Sequence, residues 1–195
     1  MTPKETFISL ASGITRNGIE NLMHFLEYES DFYTAPCSTR YHLSVPGGLV
    51  IHSIHVYKLL EIKARQFKLN VDPETLLICG LFHDVCKTNF YDIEKKWRKN
   101  DRNQWEQYDA YVIKDLFPAG HGSKSVSVLQ KYLHLTDEEI LSVMWHMGAW
   151  TEGMTEYSMR QAYNAAGDKY PLVTALHLAD LEATRFIERE QPEEG

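Results

Sequence analysis

Apolar residues recur every three or four positions along most of the chain, the spacing that places them on one face of a helix. In the segment 18–29, for example, Ile19, Leu22, Met23 and Leu26 share such a face. Glycine, proline and other turn residues separate one such segment from the next. The pattern predicts helices that begin at residue 3 and cover about 18–29, 48–67, 72–86, 122–132, 136–146 and 171–189.

Two of these helix starts carry a capping box, in which a threonine is followed three residues later by a glutamate. Residues 2–5 read Thr-Pro-Lys-Glu and residues 136–139 read Thr-Asp-Glu-Glu. In such a box the two side chains accept hydrogen bonds from backbone N–H groups that the helix leaves unpaired. Residues 31–45, by contrast, have no helical period and contain Pro36, so we predict an irregular loop there.

The segment 89–115 departs from the helical pattern, because aromatic and β-branched residues are scattered among its charges. The polar run 100–103 is typical of a turn, which predicts a β-hairpin over about 90–113. Its aromatic residues either pack within the hairpin or form a platform for stacking bases, and we favour packing. The expected fold is therefore all-α, a helical bundle with a small β-hairpin excursion.

Size and charge narrow the function. The chain has 195 residues, near the usual size of one domain, so we expect a single domain over 1–195 with a frayed acidic tail over 188–195. Twenty Lys and Arg against 27 Asp and Glu give a net charge of −7. We therefore expect no binding of long nucleic acid, which requires many Lys–phosphate and Arg–phosphate contacts. This charge is compatible with a small anionic substrate that a metal ion attracts. It is also compatible with a homo-oligomer.

Cellular location follows from the cysteines and the apolar runs. Three widely spaced cysteines form no disulfide framework or CxxC pair, which indicates a reducing compartment. The first residues lack the pattern of a signal peptide, and no apolar run is long enough to span a bilayer. We expect a cytoplasmic protein that does not contact membranes.

Histidines and aspartates in apolar surroundings are the candidates for chemistry. His83 and Asp84 follow an apolar helix, where two consecutive ionisable side chains are costly to bury unless they are paired or bind a metal. A single histidine on an apolar helix face is more often a core residue than a ligand. Several such anomalies at helix ends in one small domain favour a shared metal site. The candidates are His52, His83, Asp84, His121, His146 and Asp180.

The sequence motifs around these residues resemble those of the HD-domain metal-dependent phosphohydrolases. Residues 47–53 (GGLVIHS) are similar to the family's GGL-x-x-H-[ST] opening, and residues 81–87 (LFHDVCK) to its L-x-HD-x-x-K signature. Residues 176–180 (LHLAD) are similar to its closing [LH]-x-AD element. The resemblance covers about residues 36–189. Within the family, the stretch 40–49 most resembles the HD domain of bacterial 3′→5′ exoribonucleases, whose separate OB domain has no counterpart in this sequence.

The resemblance implies a ligand set. One metal would be held by His52, His83, Asp84 and Asp180, and Asp84 would bridge to a second metal completed by His121 and His146. Imidazole and carboxylate ligands together suit Mn²⁺, Fe²⁺, Co²⁺, Ni²⁺ or Zn²⁺. Two such ions would hold a hydroxide as the nucleophile and offset phosphate charge, with Asp84 as the catalytic carboxylate.

Residues near these motifs are candidates for further roles. Lys87 either reaches the substrate phosphate as a catalytic point charge or is a solvated helix-end lysine. His42 and Arg40 are candidate substrate contacts, and His177, three residues before Asp180, either orients that carboxylate or packs in the core. Cys86 stands where the family commonly has glycine. The spacing implies no activating base for its thiol, so we do not expect a nucleophile.

Two function classes follow. The first is a hydrolase that cleaves a phosphoester bond of a nucleotide or short oligonucleotide. The second is a catalytically silent HD module that binds a nucleotide or a partner as a sensor. The intact set of candidate ligands favours the hydrolase, because a silent module has no evident need for all of them.

Overall fold

The computed structural model describes residues 1–189, and these form the expected helical bundle with one small antiparallel sheet. The α-helices of these residues are α1 (Pro3–Ala11), α2 (Ile19–His24), α3 (Gly48–Gln66), α4 (Pro73–Phe82), α5 (His121–Leu129), α6 (Asp137–Trp145), α7 (Tyr157–Lys169) and α8 (Pro171–Glu182). Helix α2 continues as a π-helical turn over Phe25–Glu29, and α8 does so over Ala183–Ile187. The all-α fold class is confirmed.

Both predicted capping boxes form. At the start of α1, the Thr2 hydroxyl accepts a hydrogen bond from the Glu5 N–H (3.2 Å), and the Glu5 carboxylate accepts one from the Thr2 N–H (2.8 Å). Thr136 and Glu139 make the same reciprocal pair at the start of α6. These local bonds fix where the two helices begin.

Helix α3 lies at the centre of the bundle and packs against α4 and α8. Gly80 on α4 allows a close approach to α3, because a Cβ at this position would lie 2.6 Å from the Cα atom of Tyr57. Buried side chains such as Leu60, Ile78 and Leu176 fill the space between these helices. The tight packing brings the start of α3 next to the end of α4, and therefore brings His52 next to His83.

The hairpin forms over β1 (Tyr91–Lys99) and β2 (Trp105–Ile113), with Trp97 opposite Gln107. Our expectation that its aromatic residues pack within the hairpin is wrong for two of them, because Trp97 and Trp105 are 60% and 65% exposed. A two-stranded sheet has no second layer to cover its faces, and its tryptophans therefore face solvent.

Three stretches differ from the predicted boundaries. Helix α4 ends at Phe82, so His83 and Asp84 lie in the turn before a short 3₁₀ segment at Val85–Lys87. Helix α7 was not predicted, because its sequence is mostly polar and it buries only Ala166. Glu188, the first residue of the expected frayed tail, is buried, and residues 190–195 of that tail lie outside the described residues. No helix within 1–189 is long and apolar enough to cross a membrane.

Candidate metal centre

The structure brings the six candidate ligands together around the end of α4. His52 lies in the second turn of α3, His83 and Asp84 follow α4, and His121 opens α5. His146 follows the last turn of α6, and Asp180 lies on α8. Five different helices thus contribute to one cluster, of which His52, His83, Asp84 and His146 are almost entirely buried.

Asp84 lies at the middle of this cluster. Its Oδ1 atom is 2.7 Å from His121 Nε2 and 3.4 Å from His146 Nε2. Its Oδ2 atom is 3.4 Å from His52 Nε2 and 2.6 Å from Lys87 Nζ. The two carboxylate oxygens therefore face two different groups of histidines, an arrangement that a carboxylate needs if it is to bridge two cations.

A second set of short distances surrounds His52. Its Nε2 atom lies 3.2 Å from His83 Nε2 and 3.3 Å from Asp180 Oδ1. His83 Nε2 is in turn 3.7 Å from Asp84 Oδ2. Several subsets of these donors lie close enough to share one ion, among them His52 with His83 and Asp84, and His83 with His146 and Asp180.

The outer nitrogens of three histidines are held by acceptors. His52 Nδ1 is 2.9 Å from Glu188 Oε2, and His83 and His146 each place Nδ1 against the carbonyl oxygen three residues earlier, at 3.0 and 2.6 Å. Because a carbonyl or carboxylate oxygen only accepts, each Nδ1 carries the proton and donates it. The Nε2 atoms consequently face the cluster, which is the orientation that second-sphere hydrogen bonds give to metal-binding histidines.

The donor set fits a cation. Two imidazole Nε2 atoms 3.2 Å apart, as in His52 and His83, repel each other unless a proton or metal ion lies between their lone pairs. The Nε2 atom of His146 is buried and makes no hydrogen bond to any residue that the structure describes. An inward-facing, unpartnered nitrogen of this kind is costly to bury and is well suited to a metal.

The titration behaviour agrees with this interpretation. Burial lowers the pKa of His83 to about 3 despite the nearby Asp84 carboxylate, so this imidazole is neutral and able to ligate. The pKa values of Asp84 and Asp180 lie well below their ordinary range: burial raises them, but neighbouring cationic groups more than offset it. Those groups are chiefly Lys87 for Asp84 and His52 for Asp180.

Two histidines of the cluster carry a proton that a metal would displace. Burial lowers the pKa of His52, but the surrounding thiolate and carboxylates raise it well above the ordinary value. For His121, burial is opposed by Cys86 and Asp84, which raise the pKa to about 10. Metal binding at these ligands would therefore release protons and weaken as the pH falls.

Lys87 was expected either to reach a substrate phosphate or to be a solvated lysine at a helix end, and the structure excludes the solvated lysine. Its Nζ atom is 2.6 Å from Asp84 Oδ2 and 3.5 Å from Cys37 Sγ, and only 13% of its side chain is exposed. Burial lowers its pKa, but Asp84 raises it well above the ordinary value, so the ammonium remains charged. It contributes a fixed positive charge at the centre.

Of the two candidate substrate contacts on the loop, only His42 lies at the cluster. Its Nε2 atom is 3.3 Å from Cys37 Sγ, and its ring centroid is 5.4 Å from that of His52. Arg40 is instead exposed and lies over the Tyr41 ring at 5.4 Å. A contact between Arg40 and a substrate stays a prediction.

His177 contacts the backbone at His146 and not the Asp180 carboxylate. Its Nδ1 atom is 2.7 Å from the His146 carbonyl oxygen, so neither predicted role describes it fully. The ring also packs against Gly148, whose φ of +54° and lack of a Cβ admit it; a Cβ there would lie 2.5 Å from the ring. His177 thus helps to hold the chain that carries His146.

Sequence reasoning missed two residues of the cluster and one contact. Glu188, assigned to the acidic tail, accepts hydrogen bonds from His52 and from His55, the latter at 2.9 Å. Cys37, dismissed because it forms no CxxC pair, lies beside His42, His52 and Lys87, and these neighbours lower its pKa to about 6 against the effect of burial. Cys86 Sγ is 3.4 Å from His121 Nδ1, a contact that the spacing did not reveal.

Comparison with known families agrees with the fold and the cluster. The fold and the cluster define a helical domain with a buried His/Asp centre able to hold metal. The HD-domain family model matches residues 49–184, more than half of the chain, and the chain therefore belongs to the HD-domain family, whose members are typically metal-dependent phosphohydrolases. The match includes every residue of the predicted ligand set. Comparison with curated proteins and with solved structures finds no significant match.

Proposed function

We propose that this protein is a metal-dependent phosphohydrolase that cleaves a phosphoester bond of a nucleotide or short oligonucleotide. The observation that carries the proposal is the convergence of four histidines on the two oxygens of Asp84, with Asp180 beside one of them, His52. The other three histidines are His83, His121 and His146. Two divalent transition-metal ions bound there would activate a water molecule as the nucleophile and offset the charge of phosphate oxygens.

The chain's own groups prepare the site for an anionic substrate. Asp84 is held ionised by Lys87 and is positioned to serve both halves of the cluster. The Lys87 ammonium, fixed by that ion pair, adds positive charge where a phosphate would lie. His42, on the loop before α3, lies beside the His52 ring and is a candidate contact for the substrate.

The alternative function is a silent module that binds a nucleotide or partner as a sensor. Catalytic silence would be favoured by loss of a ligand, yet all six predicted ligands are present and turned toward one another. This intact set supports the hydrolase, and the metal content of the purified chain tests it.

We expect about two transition-metal ions per chain, because different histidines face the two oxygens of Asp84. Elemental analysis of protein purified without chelators, and again after loading with Mn²⁺ or Fe²⁺, measures this. His121→Ala and His146→Ala should lose mainly the second ion, since their Nε2 atoms lie against Oδ1 of Asp84. His134→Ala, which changes a histidine outside the cluster, is the matched control.

A chain that retains no metal after loading would contradict the proposed function. If the His121 and His146 variants kept full metal content and full turnover, the centre would instead be mononuclear. Its ligands would then be His52, His83, Asp84 and Asp180.

We also expect the enzyme to prefer short substrates. The net charge of −7 leaves little to neutralise an extended polyanion, whereas Lys87 and the metals act on one or two phosphates. Values of kcat/KM for mononucleotides, a dinucleotide and a strand of about 20 nucleotides should not rise with length, and salt should affect them weakly. Efficiency that climbs steeply with length would favour an exonuclease that degrades long strands.

A further inference from the structure

A cavity of about 400 Å³ opens beside the half of the cluster that contains His121. His121 and Cys86 line it on the side of the cluster, and Phe90, Asp115 and Lys124 line it elsewhere. This volume falls within the range of small-molecule sites in proteins. A ligand that places its phosphate at Asp84 could therefore extend its remaining part into this space.

One wall of the cavity combines an aromatic ring with an ion pair. Lys124 Nζ is 2.6 Å from Asp115 Oδ1 and lies over the Phe90 ring, 4.6 Å from its centroid. Only 10% of the Lys124 side chain is exposed. The hydrogen bond from Lys124 lowers the pKa of Asp115, so this carboxylate is ionised near neutral pH, and its Oδ2 atom is not used by the pair.

Glu152 supplies a second carboxylate on the same cavity. Its Oε2 atom accepts a hydrogen bond from the backbone N–H of His121 at 3.1 Å. Gly120 leaves the space for this contact, since a Cβ there would lie 2.7 Å from Glu152 Oε2. Within residues 1–189 the other oxygen of Glu152 accepts no hydrogen bond, so it can accept a further donor, and the bond to His121 ties the cavity directly to a predicted metal ligand.

We propose that this cavity binds the base of a nucleotide and selects bases that carry an amino group. The inference rests on the proposed function and names the substrate class of the same site. The oxygens left over on Asp115 and Glu152 can accept the exocyclic amino N–H groups of guanine, adenine or cytosine, and Phe90 offers an apolar contact for the ring. Uracil offers only its N3–H, which lies between two carbonyl oxygens that the carboxylates repel. The Lys124 ammonium is already paired with Asp115, so the phosphate lies at the metal ligands and Lys87, and the base lies in the cavity.

Binding of nucleosides tests the proposal without any hydrolysis. Guanosine, adenosine, cytidine and uridine are titrated against the purified metal-loaded protein, with affinity measured by calorimetry or ligand-observed NMR. We expect saturable binding of the amino-bearing nucleosides and weaker binding of uridine. Glu152→Gln should reduce affinity for the preferred nucleoside about 10-fold, since a hydrogen bond to a charged group is lost.

The variant and its control separate selectivity from folding. A glutamine at 152 can still accept the N–H of His121 through its amide oxygen, so the loop should keep its structure. Glu61→Gln, on the exposed part of α3 away from this cavity, is the matched control and should bind like the unchanged chain. For turnover, Glu152→Gln should lower kcat/KM for the preferred nucleotide by a larger factor than for a base-free ester such as ribose 5-phosphate.

Each outcome bears on one proposal. Equal affinity for all four nucleosides, no saturable binding, or equal losses for nucleotide and ribose 5-phosphate would overturn the base site. Turnover of nucleotides without base selectivity would overturn it and leave the hydrolase in place. Selective nucleoside binding by a chain that hydrolyses nothing would uphold the base site and contradict the hydrolase.

Discussion

Asp84→Asn should empty both halves of the metal centre and reduce turnover at least about 1,000-fold, since even one group that stabilises a transition state is worth roughly 10² to 10³ in rate. Asparagine keeps the shape of the side chain but loses the negative charge. In the unchanged chain both oxygens of the Asp84 carboxylate face histidines, so one substitution affects two groups of donors at once. Elemental analysis and kcat measured on the same preparation check the two effects together.

The stability of this variant needs its own control. Asp84 is the counter-charge of the buried Lys87 ammonium, and removal of one partner from a buried ion pair costs about 3–5 kcal/mol. The double variant Asp84→Asn/Lys87→Gln removes both charges and should recover most of the lost free energy of unfolding. Metal content should stay low in the double variant. Full metal binding by a folded Asp84→Asn protein would contradict the bridging role.

The sequence was sufficient for the six candidate ligands because each one breaks a local pattern. His83 and Asp84 interrupt an apolar helix, and His121 follows a glycine with a φ of +74° that starts α5. Such anomalies are visible in a window of a few residues. How they meet in space depends on the packing of five helices, and it was the family resemblance rather than periodicity that joined them.

The residues that were missed lie in segments without any local signal. Glu188 is separated from His52 by 136 residues, and its charge in an acidic run is typical of a solvated tail. Glu188 directly follows the π-helical turn at Ala183–Ile187, and its N–H donates to the Ala183 carbonyl oxygen. Cys37 lies in a loop whose fold depends on long-range contacts, such as the hydrogen bond from the Tyr91 hydroxyl to its carbonyl oxygen.

The helices also divide into those whose start the local sequence predicts and those that the sequence alone does not reveal. Capping boxes place the starts of α1 and α6, because the bonds involved span only three residues. Helix α7 has no side-chain cap and buries little, so its contacts with α6 and α8 reveal it, not its sequence. Local chemistry thus determines helix starts, whereas tertiary contacts determine which polar segments are helical.

Glu188→Ala should weaken metal binding about 10- to 100-fold, the usual cost of removing the hydrogen-bond partner of a metal-binding histidine. The Glu188 carboxylate accepts the Nδ1 proton of His52, which directs the Nε2 lone pair toward the cluster. Burial raises the pKa of Glu188, but the bonds from His52 and His55 lower it to about 2 overall, so the group is ionised under all working conditions.

Two variants show whether metal binding depends on the charge of Glu188 or only on an acceptor at its position. Glu188→Gln keeps an oxygen that can accept from His52 and should retain more of the affinity than Glu188→Ala. His55→Ala removes the other donor to Glu188 without changing the bond to His52, and it should bind metal nearly like the unchanged chain. Competition with a chromophoric chelator gives the dissociation constants, and ¹⁵N shifts of the His52 imidazole report its tautomer. If Glu188→Ala bound metal as tightly as His55→Ala with the same His52 tautomer, Glu188 would serve only to anchor the end of the chain.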